Sequence, residues 1–356
     1  MENVRKLVAE TIAGAERELG LDWRSSYSNV ALSGEGVLAV ELSREEVYRA
    51  AVVRLGGPAV RPGGAAGETV LDLLGFTARL RFLGPERGRL LWATSSVADV
   101  RREPAHSAEL LTQLIMGETA RPLKTQGDWH LVRLADDYHG WIRSWYVREA
   151  DERAIESYAS AANAVVDANV GYVLSEPDER SVPVSDVVSG VRLPAGAPRR
   201  GFRRVELPGG KAGFMREGDL AEPPARGSPD RGRIVERAKR FLGIPYLWGG
   251  TSAKGFDCSG LVKRVYLMEG VHLPRDSDRQ ALVGSLIPAG EVNRSSPGDL
   301  LFFGEGGRVS HVAVHLGARS FIHACGEVRI NGLAPGDERY DERLAGIFLF
   351  ARSVVP

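Results

Sequence analysis

The chain has 356 residues, of which 43% are hydrophobic and 26% are charged. This composition is typical of a globular protein and excludes a disordered chain, while the length predicts about two to four domains. Lys+Arg and Asp+Glu both count 46, so no overall charge attracts nucleic acid or an anionic membrane. We therefore predict neither partner.

The N-terminal segment predicts an amphipathic helix. Its apolar residues recur with a helical period and are separated by charges, unlike the continuous apolar run of a secretion signal; they are Val4, Leu7, Val8, Ile12 and Ala15. No stretch approaches the roughly 18 apolar residues of a membrane span. These patterns favour a cytoplasmic protein, or a secreted one if a precursor segment has been removed.

The sequence pattern of the first half of the chain changes near residue 89. Residues 1–88 indicate a mixed α/β region of unassigned role, with a Gly/Pro/Ala-rich loop at 56–67. Residues 89–150 contain short apolar runs such as WHLVRL and GWIRSWYV, separated by turn signals, which predicts a small barrel of strands. The stretch LLTQLIMGETARPLKTQGDWHLVRLADDYHGWI resembles a bacterial SH3-like barrel.

Three further segments lead to the last domain. Residues 151–167 are rich in alanine and glutamate and predict a connecting helix. Residues 168–221 again contain short apolar runs separated by turn signals and end in KAGFMREGDL. This pattern predicts a second, diverged SH3-like barrel. Residues 222–231 concentrate proline, glycine and charge, as linkers do. The last domain is expected over 232–356.

Two cysteines occur, Cys258 and Cys325, which is too few for a disulfide scaffold. The apolar pattern of FDCSGLVKRVYLMEG predicts a helix that begins near Cys258 and ends at Gly270. Unpaired N–H groups and the helix dipole favour an anion at that end, which predicts a thiol primed for ionisation. A small buried hydrophobe is the alternative interpretation of a lone cysteine.

Two histidines lie in predicted strands downstream of Cys258. His311 falls in RVSHVAVHLG and His323 in SFIHACG. A thiol nucleophile needs a base and a third group that orients the base, and these histidines could supply both roles.

A zinc site is the competing use of the same residue types. His311 and His315 have a ligand-like spacing, but on a strand they would stand about 13 Å apart, too far for one ion. The sequence therefore predicts neither a metal nor a cofactor.

The motifs of residues 232–356 resemble the NlpC cell-wall peptidase family in content, order and spacing. The matching pieces are PYLWGG, FDCSGLV, LPRDSDRQ, PGDLLFF, VSHVAVHLG and FIHA. The resemblance implies a multidomain protein whose C-terminal catalytic domain has a papain-like α+β fold, preceded by two small SH3-like β-barrels and an N-terminal α/β region. It also implies that Cys258 is the nucleophile, His311 the base and His323 the residue that orients His311.

The same resemblance implies a substrate. The two barrels look like the architecture of the family's γ-D-glutamyl-L-diamino-acid endopeptidases, which cut stem peptides that carry a free N-terminal L-alanine. Carried over by motif, the substrate-binding positions are Asp257, Tyr246, Ser259 and Ser277, with Glu109 and Tyr138 of the first barrel added on a looser alignment. Asp257, Glu109 and Tyr138 would contact the alanine ammonium. Tyr246 and Ser277 would donate hydrogen bonds to a carboxylate or an oxyanion.

The expected function is hydrolysis of murein tripeptides or related stem peptides in cell-wall recycling. Two alternatives stay open: a secreted hydrolase of intact peptidoglycan, and a stem-peptide binding module without catalysis. An amidase or acyltransferase would also fit the fold. The pattern fits meso-diaminopimelate or lysine equally and favours no oligomeric state. Cys325 is expected to be a packed thiol on the same sheet face as His323.

Overall fold

The computed structural model describes residues 2–32, 37–56, 68–73, 76–84, 89–224 and 229–355. Residues 57–67 of the predicted Gly/Pro/Ala-rich loop and residues 225–228 of the predicted linker lie outside these ranges. Helices alternate with several separate β-sheets, so the chain is a multidomain α+β protein. No helix in the described ranges is long and apolar enough to cross a membrane.

The elements are numbered in chain order. The helices are α1 (Glu2–Glu18), α2 (Glu45–Gly56), α3 (Glu152–Ala161), α4 (Arg231–Arg240), α5 (Cys258–Met268), α6 (Ser277–Gln280) and α7 (Glu342–Gly346). The strands of the N-terminal half are β1 (Ser28–Leu32), β2 (Leu38–Leu42), β3 (Glu68–Leu73), β4 (Phe76–Phe82), β5 (Arg89–Ala93), β6 (Val97–Arg101), β7 (Leu110–Ile115), β8 (Thr119–Gln126), β9 (Trp129–Arg133), β10 (His139–Arg143) and β11 (Val147–Asp151). Those of the C-terminal half are β12 (Ala164–Val166), β13 (Val170–Leu174), β14 (Pro183–Val188), β15 (Arg192–Leu193), β16 (Phe202–Glu206), β17 (Ala212–Arg216), β18 (Leu220–Ala221), β19 (Thr251–Ser252), β20 (Gly255–Phe256), β21 (Ser285–Pro288), β22 (Leu300–Glu305), β23 (Arg308–Gly317), β24 (Ser320–Cys325), β25 (Glu327–Gly332) and β26 (Phe348–Ser353).

The first compact unit comprises Met1–Leu91 and Ala120–Ile142. Its N-terminal part is a sheet in the order β1-β2-β4-β3, in which β2 and β4 run parallel. Helices α1 and α2 pack together and bury their apolar faces in one core that includes Val8, Ile12 and Leu80, as the helical period of the first residues predicts. Strands β8, β9 and β10 are hydrogen-bonded neighbours in this unit.

The second compact unit comprises Trp92–Thr119 and Arg143–Pro356. The stretch predicted as the first barrel, 89–150, thus contributes residues to both units. The segment predicted as the second barrel forms β13 to β18, which join β12 in two small sheets of orders β15-β12-β18 and β14-β13-β17-β16.

The connecting helix is shorter than the predicted span of 151–167. It begins after Asp151, whose side chain accepts the Ala154 N–H, and ends at Ala161. Asn163 then pairs both ends of its amide with the backbone of Ala195. The valines that follow enter strand β12 because β-branched side chains favour the pleated sheet. Composition alone therefore overestimated the helix.

The C-terminal part of the second unit is built on a sheet in the order β21-β26-β22-β23-β24-β25. Helix α5 packs on β23 and β24 and contacts α4. Its buried face includes Leu261, Val262, Val265 and Tyr266, and full burial of such a side chain contributes about 1.5–3 kcal/mol. Gly270, at φ 79°, follows the helix, in the left-handed conformation that ends helices.

Candidate active site

Cys258 is the first residue of α5, as the sequence predicts. Asp257 caps this end of the helix: its Oδ1 accepts the Gly260 N–H at 2.7 Å. A Cβ on Gly260 would lie 2.0 Å from the carbonyl oxygen of Gly250, so only glycine lets the helix approach that backbone so closely. The cap and the close approach together fix the position of the cysteine.

The electrostatic environment of the thiol differs from the prediction. Burial raises the pKa of Cys258 to about 12, and the Asp257 charge acts in the same direction. The Val312 N–H, the Arg275 charge and the Ser259 N–H lower it by smaller amounts. Cys258 as a residue still keeps part of its surface accessible. The prediction of a thiol primed by the helix dipole was wrong, because burial outweighs the dipole, and the resting thiol is protonated.

A chain of hydrogen bonds extends from His311 across two strands. His311 Nε2 lies 2.8 Å from His323 Nδ1, and His323 Nε2 lies 3.0 Å from Asn331 Oδ1. Asn331 Nδ2 in turn donates to Asp341 Oδ2 at 3.3 Å. The structure thus brings the two predicted histidines into contact and adds two residues, Asn331 and Asp341, that the sequence analysis missed.

The carboxylate of Asp341 fixes the direction of every bond in this chain. It can only accept, so Asn331 presents its Nδ2 to Asp341 and its Oδ1 to His323. His323 Nε2 must then carry the proton, which leaves Nδ1 of the neutral ring as an acceptor. His311 Nε2 consequently donates to His323, and His311 Nδ1 carries the lone pair that can accept a proton.

Both rings are neutral at neutral pH. Burial lowers the pKa of His311 to about 3, and His323 and Arg343 act in the same direction. Burial also lowers the pKa of His323 to about 4, although the hydrogen bond that His323 donates to Asn331 opposes this shift. The resting pair is therefore a neutral thiol and a neutral imidazole.

Asp257 is more heavily engaged than the sequence predicts. Besides the Gly260 N–H, its carboxylate accepts the Gly249 N–H at 2.9 Å and the Ser259 hydroxyl at 3.2 Å. The buried guanidinium of Arg275 binds both carboxylate oxygens. An ammonium at Asp257 would have to share this carboxylate with Arg275, so the predicted contact stays a prediction.

The other motif residues of this region lie in the second unit with Cys258. Ser259 is buried, and its hydroxyl accepts a 2.9 Å hydrogen bond from Arg275. Burial raises the pKa of Tyr246 to about 12, and the Cys258 and Asp257 charges act in the same direction. Tyr246 and Cys258 pack against the same hydrophobic core. Ser277 is the first residue of α6, which packs on α5 and β23.

The two barrel residues have different locations. Glu109 accepts hydrogen bonds from Trp248 Nε1 at 3.0 Å and Arg102 Nε at 2.6 Å. Burial alone would raise the pKa of Glu109, but these bonds and the Arg102 charge bring it below its usual value. Because Trp248 belongs to the PYLWGG motif, Glu109 lies beside one of the motifs of the last domain. Tyr138 belongs to the first unit, where it is buried and packs edge-on against Trp23 at 6.0 Å.

Strand β7 is tied to the loop before α5 by side chains that the sequence analysis missed. Gln113 Oε1 accepts the Thr251 N–H at 3.1 Å, and the Thr251 hydroxyl donates to the Gln113 carbonyl at 3.0 Å. Arg275 Nε donates to the hydroxyl of Thr112 at 3.1 Å. Arg275 therefore links the helix cap to β7; the signal for it was the arginine of the LPRDSDRQ motif.

Neither cysteine forms a disulfide, and Cys325 is a partly buried free thiol. Among the described residues, no cluster of three or more His, Cys, Asp or Glu could hold a metal ion. His315 does not share the partners of His311: its Nδ1 lies 3.1 Å from the Ser296 carbonyl oxygen.

Family models match two stretches of the chain. The NlpC/P60 family matches residues 243–344, which contain Cys258, His311 and His323. The bacterial dipeptidyl-peptidase SH3 domain matches residues 100–144. Both matches agree with the resemblances found in the motifs.

Curated relatives and a solved structure extend the similarity. Dipeptidyl-peptidase 6 of Lysinibacillus sphaericus is 30% identical over 264 residues, which cover 70% of this chain and 93% of the relative. The γ-D-glutamyl-L-lysine dipeptidyl-peptidase of Bacillus cereus is 28% identical over 65% of this chain and 72% of its own length. A crystal structure of an NlpC/P60 family protein from Bacillus cereus superposes with a TM-score of 0.64 at 23% identity, over 75% of this chain and all of that one. The chain therefore belongs to the NlpC/P60 family of cysteine peptidases.

Proposed function

We propose that this protein hydrolyses the amide bond between γ-D-glutamate and an L-diamino acid in peptidoglycan stem peptides that have a free N-terminal L-alanine. Its substrates would be murein tripeptides and related fragments released during cell-wall recycling. The name of the Bacillus cereus relative, a γ-D-glutamyl-L-lysine dipeptidyl-peptidase, supports this substrate class.

The observation that carries the proposal is the ordered chain from Asp341 to His311. It leaves Nδ1 of His311 as the proton acceptor. The Val312 N–H, next to His311 in the chain, lowers the pKa of Cys258 and so favours the thiolate that forms on proton transfer. Helix α5, which begins at Cys258, packs on strand β23, which carries His311. A protonated thiol and an oriented neutral base on these two elements would allow general-base activation of the nucleophile.

In the first step, the Cys258 sulfur attacks the carbonyl carbon of the γ-amide while His311 Nδ1 takes the thiol proton. The backbone N–H of Cys258 and the hydroxyl of Tyr246 would donate hydrogen bonds to the oxyanion. The C–N bond then breaks, the leaving amine takes the proton from His311, and a thioester remains.

In the second step, water attacks the thioester carbonyl while His311 again takes a proton. The tetrahedral intermediate collapses, the γ-carboxyl of the dipeptide leaves, and the proton returns to the Cys258 sulfur. His323 keeps the His311 ring oriented in both steps and stabilises the imidazolium.

The free N-terminus of the substrate would be recognised by an anionic group. Glu109 supplies a partly exposed carboxylate held beside Trp248. Its pKa is below the usual value, so the group is ionised at neutral pH and can bind an ammonium. Replacement Glu109→Gln should therefore raise KM for the free peptide with little change in kcat.

The test is hydrolysis of L-Ala-γ-D-Glu-L-Lys and of the same peptide N-acetylated on alanine, followed as free lysine by mass spectrometry. We expect cleavage of the free peptide alone and none by Cys258→Ala. Cys325→Ser is the matched control and should cleave normally. Intact sacculi should remain uncut.

Other outcomes have definite meanings. Turnover that survives in Cys258→Ala would contradict the mechanism. Cleavage of sacculi but not of the tripeptide would identify a hydrolase of intact wall. Peptide binding by the reduced wild-type protein without turnover would identify a binding module instead.

A further inference from the structure

We propose that a cavity of about 310 Å³ beside Trp145 binds an acidic saccharide, that is, a pyranose ring that carries a carboxylate. All residues that line this cavity belong to the second unit; they are residues 94–95, 144–145, 147–148, 185, 207–209 and 211. None of them is a predicted catalytic or substrate-binding residue. The site is therefore separate from Cys258 and does not depend on the proposed hydrolysis.

The aromatic platform of the cavity is the indole of Trp145. The ring of His106 stacks on it at 5.2 Å, and the guanidinium carbon of Arg143 lies 4.1 Å from its centroid. Arg143 Nη1 and His106 Nε2 are only 2.6 Å apart. Groups on opposite faces of an indole could not come so close, so both cover the same face.

The remaining surface of this indole is exposed. Tyr146 contacts Trp145 in an edge-on geometry at 5.9 Å, yet 58% of the Trp145 surface is accessible. Trp145 is also one of the residues that line the cavity. A large exposed aromatic surface beside a polar cavity is a site for a ligand with both apolar and polar faces. The C–H face of a pyranose ring is such a ligand surface.

The charge of the cavity selects an anionic group. Arg148 and Lys211 line it, and its lining residues include no Asp or Glu. Within the described residues, neither cationic side chain forms a hydrogen bond or an ion pair. Two cations without a protein carboxylate favour a ligand that supplies one.

The polar lining favours a saccharide over a nucleotide. Hydroxyl side chains line the cavity at Thr94, Ser95 and Ser185, and hydroxyls exchange hydrogen bonds with sugar hydroxyls in either direction. Asn and Gln, whose amides pair with base edges, are absent from this lining. The volume is at the small end of ligand sites, which fits one substituted ring.

The test uses two sugars that differ by one carboxylate. N-Acetylmuramic acid is N-acetylglucosamine with a lactyl ether, so their affinities for the full-length protein isolate the contribution of charge. By titration calorimetry at low salt we expect N-acetylmuramic acid to bind about threefold to tenfold more tightly, since exposed ion pairs contribute a few-fold each. AMP serves as the nucleotide probe and should bind more weakly than either sugar.

Variants separate the platform from the charges. Trp145→Ala should weaken both sugars by about tenfold. The double variant Arg148→Gln/Lys211→Gln should abolish the preference for the acidic sugar and leave N-acetylglucosamine binding unchanged. Tyr172→Ala removes another exposed aromatic outside the cavity and should change neither affinity. The circular dichroism spectrum and the melting temperature of all three should match those of the wild type, which shows that they are folded.

Three results would overturn the proposal: affinity that survives Trp145→Ala, equal affinity for the two sugars in the wild-type protein, or tighter binding of AMP. Because calorimetry requires no turnover, loss of the proposed peptidase activity would leave this test intact.

Discussion

The side of the site that carries the proposed nucleophile, at the start of α5, is held by a buried ion pair. The side that carries the proposed base, on β23 to β25, is held by hydrogen bonds between neutral side chains that end at Asp341. Asp257 and Arg275 form a buried ion pair around the helix cap. His311, His323 and Asn331 form a directional chain that ends at Asp341. A buried ion pair fixes where a backbone lies, while a directional chain fixes where a proton lies. Substitutions that break the ion pair should therefore lower the free energy of unfolding, and substitutions that break the hydrogen-bond chain should lower kcat.

Arg275→Met should give the largest effect, on the charged side. It leaves the Asp257 carboxylate buried without its partner, which costs about 3–5 kcal/mol of unfolding free energy. The double variant Arg275→Met/Asp257→Asn should recover part of this loss, because asparagine still caps a helix and no charge is left unpaired. Urea denaturation of the single and double variants measures both effects.

Arg294→Met is the matched control for Arg275. Arg294 pairs with Glu291 in an exposed position, and such surface pairs contribute little. If Arg275→Met were no more destabilising than this control, the ion pair at the helix cap would not be the element that holds the nucleophile side.

Asn331→Leu should give the next largest effect, on the neutral side. Without the Oδ1 acceptor, His323 can place its proton on Nδ1, and His311 then presents an N–H instead of a lone pair to the thiol. A wrong tautomer is costly in triads of this kind, and because the Asn331 bond acts one residue further away, we expect kcat to fall by about 10–100-fold with KM unchanged. Steady-state kinetics on the tripeptide measure the split.

Asn169→Leu is the control for Asn331. Asn169 also donates from its amide, to the Arg240 carbonyl at 2.7 Å, but it has no contact with the histidines. The kcat of Asn169→Leu should equal that of the wild type. A loss that appeared in KM instead of kcat for Asn331→Leu would argue against control of the tautomer.

Local patterns in the sequence predicted much of the C-terminal fold. The apolar period of α5 and its N-terminal cysteine depend on contacts within one turn, and the short runs of β22, β23 and β24 are bounded by Gly and Pro. The predicted C-terminal end of the connecting helix was wrong because Asn163 forms hydrogen bonds with Ala195, 32 residues away. Composition carries no information about such a partner.

The supporting residues of the site could not be predicted for the same reason. Arg275 reaches Thr112 across 163 residues of sequence, and Thr251 reaches Gln113 across 138. Asn331 meets His323 only because the register pairs His323 with Arg329 and places Asn331 diagonally across the strands. The thiol pKa was predicted in the wrong direction because the helix dipole is local, whereas burial depends on the whole fold.

Arg343→Gln should give the smallest effect, a shift of the acid limb of kcat/KM to higher pH. Protonated His311 cannot accept the thiol proton, so kcat/KM falls as pH decreases through the pKa of His311. Burial, His323 and Arg343 all lower this pKa, to about 3, so the acid limb lies well below pH 6.5. Removal of the Arg343 charge raises the pKa and moves the acid limb to higher pH, by about a few tenths of a unit because an exposed charge is screened by salt.

Arg339→Gln is the control for this shift, since Arg339 is exposed and is not among the groups that influence His311. Its profile of kcat/KM against pH should coincide with that of the wild type. The shift in Arg343→Gln should shrink as salt increases, because screening weakens an exposed charge and leaves burial unchanged. A shift to lower pH, or one that is independent of salt, would mean that Arg343 acts on the site through α7 and not through its charge.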